Sequence, residues 1–212
     1  MAADIVTIAT TAVLTQFLTP AAKSLGEVAL ERAKQVGSKA VGYLAAVGRE
    51  AQPVEEKILY PLLQAASLET DSTLAEKWAA LLTNAADPAQ QAQVQPGFIE
   101  VLRQLTPTDA QVLEEAAVIQ LHPSSPISGY IAITLLGGRF PSLAQEALLI
   151  STGNMARLGL CLGVQQQDVN RSRRSLPIAS RTDYSTMGPG VDYIQLTPFC
   201  RAFLSAVTPP TK

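Results

Sequence analysis

Histidine occurs once in this chain, tryptophan once and cysteine twice, and charged residues make up only 16% of it. With His122 as the sole imidazole, a Ser–His–Asp triad has one place to form. That histidine precedes Pro123 at a predicted helix end, where an imidazole more often serves the last carbonyls than a reaction. Cys161 and Cys200 lie in apolar surroundings without CxxC or His-paired spacing. Neither a zinc site nor a disulfide framework is expected, and a reducing cytosol suits them. The paired carboxylates Glu55-Glu56 and Glu114-Glu115 are neighbours in sequence. On a helix such neighbours point about 100° apart rather than at one substrate, so they read as solvated faces. GYIAITLLGGRF has glycines but lacks the Lys and Ser/Thr of a phosphate loop. No catalytic residue, metal or cofactor is expected, and the chain reads as a protein that is not an enzyme.

Long hydrophobic runs are scarce as well. Residues 5–22 carry no charge but are broken by threonines, Gln16 and Pro20, and are barely long enough to span a bilayer. Asp4 stands where a secretory signal would carry Lys or Arg, so export is not expected. Ile5, Ala9, Val13 and Phe17 fall one turn apart, which predicts a helix with a broad apolar face, buried or lying at an interface.

What is present is a 212-residue chain, 47% hydrophobic, with a net charge of −2. That composition is too apolar for disorder and not basic enough for non-specific nucleic-acid binding by the whole chain. The charge is unevenly distributed. Over residues 52–138 the acids Glu55, Glu56, Glu69, Asp71, Glu76, Asp87, Glu100, Asp109, Glu114 and Glu115 face only Lys57, Lys77 and Arg103. From Arg139 onward arginines prevail. Two halves that attract each other explain this at least as well as an anionic partner.

Three segments follow. Residues 1–50 form an Ala/Gly-rich N-terminal segment read as a helical hairpin, with Thr19-Pro20 starting its long second helix. Gly26, Gly37 and Gly42 each cost a helix about 1 kcal/mol relative to Ala, which predicts a closely packed neighbour. Residues 51–122 read as a central bundle of short helices. Thr73 with Glu76 predicts a capping box there, Thr106-Pro107 a second helix start, and Leu74, Trp78, Leu81 and Leu82 one buried face. Residues 123–212 open with a run, 130–136, that suits a strand or a buried helical turn equally. Ser142 with Gln145 predicts the cap of a helix stopping near Gly159, and two short β-like runs, 160–164 and 193–196, flank a polar stretch. A last helix starts at Thr197-Pro198. Helix, strand, loop, strand and helix in this order suggest a winged-helix-like α+β segment on a mainly α protein.

Residues 53–113, with ILYPLLQAASLETDSTLAEKWAALLTNAADP and PGFIEVLRQLTPTDAQVL, resemble the central region of the abortive infection alpha (Abi-alpha) family of bacterial phage-defence proteins. Trp78, Leu81, Leu82, Asn84, Phe98, Leu105, Pro107, Asp109 and Ala110 stand at the family's pattern positions, and ARLGLCLG and YIQLTPFCRAFLSAV resemble its C-terminal pattern. Cys200 departs from an expected glycine. The first 50 residues match only in character. The resemblance implies a role in abortive infection and brings no catalytic residues. Nearly all of these residues are also what a helical core or cap demands.

One constellation remains, NRSRRS, with Arg171, Arg173 and Arg174 where a wing would be. Clustered guanidiniums hold phosphates bidentately, which suits nucleic acid or anionic lipid. An exposed loop pairing with the acidic middle is preferred, because the helix over 143–158 adds only Arg157. The expected function is abortive-infection defence through self-association, a protein partner or a membrane surface met by residues 1–22. Nucleic-acid binding through the arginine loop is the alternative. The expected location is cytoplasmic, peripheral at the inner membrane if residues 1–22 meet lipid.

Overall fold

The structure, a computed structural model, describes residues 27–121, 129–165 and 192–211. The predicted Thr19-Pro20 helix start, His122 and the arginine loop lie outside the described residues. The described chain is mostly helical with one small antiparallel sheet. It divides into two compact units, residues 1–104 with 202–212, and residues 105–201.

Among the described residues of the first unit α1 (Glu27–Val47), α2 (Glu56–Leu68), α3 (Ser72–Ala86) and α4 (Pro96–Gln104) follow one another, with a 3-10 turn at Gln91–Gln93. Gly48 ends α1 at φ +71°, a left-handed conformation that costs glycine little. The amide of Arg49 then donates to the Leu44 carbonyl and that of Gly48 to Ala45, as in a Schellman-type stop. The chain reverses, and the Arg32 guanidinium reaches the Ser67 carbonyl at 3.5 Å, so α1 and α2 form an antiparallel hairpin. This hairpin packs on α3, whose residues from Lys77 to Ala86 are all buried.

The single apolar face predicted for α3 is therefore too narrow. Its second side is made of Ala79, Ala80 and Thr83, small enough for α1 to lie close, and the Thr83 hydroxyl donates to Ala79 O at 2.6 Å and to Ala40 O at 3.3 Å. The glycine expectation fails at Gly42, where a Cβ would meet nothing within 4 Å. Gly37 is buried, and Gly26 lies outside the described residues. The start of α3 also differs from expectation. Asp71, not Thr73, is the cap, its Oδ1 accepting from the amides of Thr73 (2.9 Å) and Leu74 (3.0 Å). Both residues suit an N-cap, and the helix begins at the earlier one.

The second unit holds α5 (Pro107–Leu121), β1 (Ile131–Ala132), α6 (Ile133–Arg139), α7 (Gln145–Arg157), β2 (Cys161–Val164) and β3 (Tyr193–Leu196). The last helix, α8 (Pro198–Ala206), begins in this unit and ends in the first. The strand order is β1-β3-β2, antiparallel throughout, with Ile131 opposite Ile194 and Cys161 opposite Leu196. The ambiguous run 130–136 is both of its alternatives in succession, a two-residue strand and then a helix.

Thr197 starts α8 as predicted, its Oγ1 accepting from the Cys200 amide at 3.0 Å and donating to Gly159 O at 2.7 Å. Gly159, at φ +74°, stops α7 where expected. The start of α7 is two residues later than predicted. It opens at Gln145 behind Ala144, which makes no side-chain cap bond, so Ser142 is not its cap. Among the described residues no helix is long and apolar enough to cross a membrane.

Candidate functional site

Two buried polar clusters account for the pattern residues that are neither apolar nor proline. The first lies at the end of α3. Asn84, 3% exposed, donates its amide to Ala206 O (2.8 Å), Thr208 O (2.9 Å) and, more distantly, Ser205 O (3.4 Å). The Ser205 and Ala206 carbonyls are among those that the end of α8 leaves without intrahelical partners, and Thr208 lies just past it. Three residues on, the fully buried Asp87 pairs with Arg49 and accepts from the Ala89 amide at 2.9 Å. Phe98 of α4 and Phe203 of α8 meet edge to face, their ring centroids 5.9 Å apart.

The second cluster opens α5. Asp109 accepts from the Thr106 amide at 2.9 Å while its own amide donates to the Thr106 hydroxyl at 3.1 Å, a reciprocal cap at the predicted Thr106-Pro107 start. The same carboxylate accepts from the Asn154 amide at 2.8 Å, and Asn154 accepts in turn from Arg157. Asp109 thus joins the start of α5 to the end of α7. In both clusters the bonds of the buried polar side chains go to other groups of the chain.

The cysteines offer no activated nucleophile. Burial pushes the Cys161 thiol up to about 12, with a smaller rise from Cys200. Cys200 is likewise pushed up to about 12 by burial, partly offset by Arg201. A thiol so protonated attacks nothing at neutral pH. Among the described residues no group of acids, histidines and cysteines could hold a metal ion.

A shallow cleft of about 230 Å³ lies over Val54, Ile58 and Ala85, rimmed by Gln91 and by Glu55 and Lys57. Glu55 and Lys57 pair with each other at 2.7 Å, and the Gln91 amide donates to Pro53 O at 2.8 Å. The cleft is smaller than an ordinary small-molecule site. Arg171, Arg173 and Arg174 lie outside the described residues, so the structure neither gathers nor separates them. In the second unit Arg139 pairs with Glu115, Arg157 with Asn154, and Arg201 with the Leu196 carbonyl.

Residues 26–207 match the family described as abortive infection alpha. The chain belongs to the abortive infection alpha family. Neither a curated protein nor a solved structure matches it. The match takes in all of α1, which sequence reading related to the family in character only.

In this member of the abortive infection alpha family the pattern residues Trp78, Leu81, Leu82, Asn84, Phe98, Leu105, Asp109 and Ala110 are all buried, and they hold the fold. The surface features that sequence reasoning missed are apolar. Val28 is 67% exposed and Leu68 70%, with Tyr60 exposed between the ends of α2. On α7, Leu149 and Ile150 are exposed beside Gln145 and Glu146. A signal for the first group was present. From Ile58 to Leu68, α2 has no charged residue at all, so whichever side faces solvent must be uncharged.

Proposed function

We propose that this abortive infection alpha protein acts in defence without catalysing a reaction, through contact with a protein partner, a second copy or a membrane surface. Its N-terminal region makes the contact. The observation that carries this reading is the uncharged, helically periodic run over residues 5–22, placed just ahead of a hairpin that itself exposes Val28 and Leu68. An apolar face of that kind needs a covering, and an interfacial helix, a helix partner and a bilayer surface all supply one. The protein is on this reading cytoplasmic and becomes peripheral at the inner membrane when the segment meets lipid.

The test is vesicle co-sedimentation and light scattering on the full chain and on Val13→Glu/Phe17→Glu, which puts charge on the apolar face without touching α1. Truncation after residue 50 is unsuitable, because α1 buries Ala33, Val36, Ala40 and Leu44 in the first unit. Vesicle binding or self-association that the double variant abolishes supports the proposal. Binding and oligomer size identical in both proteins overturn it.

The runner-up is nucleic-acid binding by a winged-helix-like second unit through Arg171, Arg173 and Arg174. In its favour stands the order α5, β1, α6, α7, β2, β3, the arginines falling in the β2–β3 connection. Against it stands α7, whose outward side chains include Glu146, Leu149 and Ile150 and would meet phosphates poorly. A salt-sensitive mobility shift that disappears when all three arginines become Ala would reverse this ranking.

A further inference from the structure

Helix α7 turns Leu148, Ser151, Thr152 and Met155 inward and leaves its opposite face uncovered. On that face Glu146, Ile150, Gly153 and Arg157 follow in alternating four- and three-residue steps, which sets them in one row about 16 Å long. Leu149 flanks the row. It is 41% exposed and Ile150 68%, while Glu146 and Arg157 are exposed at the two ends. The order along the row is acid in the first turn, apolar side chains in the middle and base in the last turn. The helix dipole accounts for both charges, each favourable at its own end. It does not account for an isoleucine left in water between them. At the basic end Asn154 Oδ1 accepts from Arg157 Nε at 3.2 Å and from Nη2 at 2.8 Å, which holds the guanidinium in place.

We infer that this face pairs with the same face of a second copy of the chain, the two α7 helices running antiparallel. Reversal sets Glu146 of each copy opposite Arg157 of the other, and the same register sets Ile150 opposite Gly153, where no side chain holds the helices apart. A two-fold interface requires a surface complementary to itself, and a row that reads acid, apolar, base meets that requirement when one copy is reversed. A parallel pair would set Glu146 on Glu146 and Arg157 on Arg157. Phosphate, whether of a nucleic acid or of a lipid, would meet Glu146 with like charge. A single helix pair buries less than the roughly 1,200 Å² of a stable complex, so the dimer is a weak one, with a Kd on the order of 100 μM. Pairing is then slight in dilute solution and becomes populated where copies are gathered on one partner or surface. That consequence rests on the reading above, whereas the pairing itself does not.

Sedimentation equilibrium of the full chain without vesicles, from about 10 μM to about 500 μM, brackets that affinity and tests the pairing. Every protein compared also carries Val13→Glu/Phe17→Glu, so that the association proposed for residues 5–22 does not contribute. The expected result is a monomer–dimer equilibrium that Ile150→Lys abolishes and that Val118→Lys, at an exposed apolar residue of α5, leaves alone. Glu146→Arg and Arg157→Glu are each expected to weaken it about tenfold, because one reversal strikes both symmetry-related pairs. An equal mixture of these two variants restores it, since the mixed pair again sets unlike charges together at both ends. Arg157 borders the bond between Asn154 and Asp109, so circular dichroism checks that its variant is folded. Should it not be, Ile150→Lys and Glu146→Arg decide the matter alone. A chain monomeric throughout, a dimer indifferent to Ile150→Lys, or a mixture of folded variants no stronger than its parts overturns the pairing. Failure of vesicle binding alone would remove the functional proposal and leave the pairing standing.

Discussion

Asn84 shows how one polar side chain can matter without touching a ligand. A single amide serves Ser205, Ala206 and Thr208, more than one hundred residues further along the chain. Asn84→Ala would leave carbonyls at the end of α8 without that donor and is expected to lower stability by about 1–3 kcal/mol, read as a lower urea midpoint. The thiols give a pH dependence. Cys161 and Cys200 are raised from 9.0 to about 12, so between those values the unfolded chain has released protons that the folded chain retains. Stability therefore falls as pH rises through that window and is unaffected by these groups below it, with a slope of about 1.4 kcal/mol per pH unit for each thiol. Urea midpoints from pH 8 to 10.5 should decline less steeply for Cys161→Ala/Cys200→Ala than for wild type.

Helix boundaries are decided by competition among neighbouring candidates. Ahead of α3, Asp71 and Thr73 both satisfy the chemistry of a cap, and only Asp71 accepts first-turn amides. Asp71→Ala is expected to cost about 1 kcal/mol, while Thr73→Ala changes little, a contrast that thermal or urea unfolding of the two variants checks directly. Pro61 makes a related point. A proline inside an apparent helix suggests a break, yet α2 runs through it from Glu56 to Leu68 because Pro61 lies on the exposed side, where water can serve the carbonyl it leaves unpaired.

Across the whole chain the contact proposed for residues 5–22 depends on apolar area rather than on charge. The net charge is −2, and Asp4 and Lys23 flank the uncharged run with opposite signs. Vesicle binding is accordingly expected to be no tighter for anionic than for zwitterionic lipid and to persist when salt is raised from 50 mM to about 500 mM, where surface charges are screened within a few ångströms. A strong preference for anionic vesicles, lost in salt, would move the contact from residues 5–22 to the arginines of the β2–β3 connection.

Much of the architecture was legible in the sequence because its signals are local. Thr106-Pro107, Thr197-Pro198, Gly159 and the two β-like runs around 160–164 and 193–196 each act within one turn or one strand, and each stands where the chain says it should. Trp78, Leu81 and Leu82 declared a buried face, and the pattern around them declared the family. Only tertiary structure decided that α3 is buried on nearly every side, since Ala79, Ala80 and Thr83 are small enough to serve either a surface or a close helix contact. It alone joined Asn84 to the end of α8 and Asp109 to Asn154, because such bonds depend on where distant segments come to lie. The exposure of Tyr60, Gln64 and Leu68 along α2 belongs to the same class. An uncharged helix announces that some face must lack charge, but which face meets water is settled by what packs against the others.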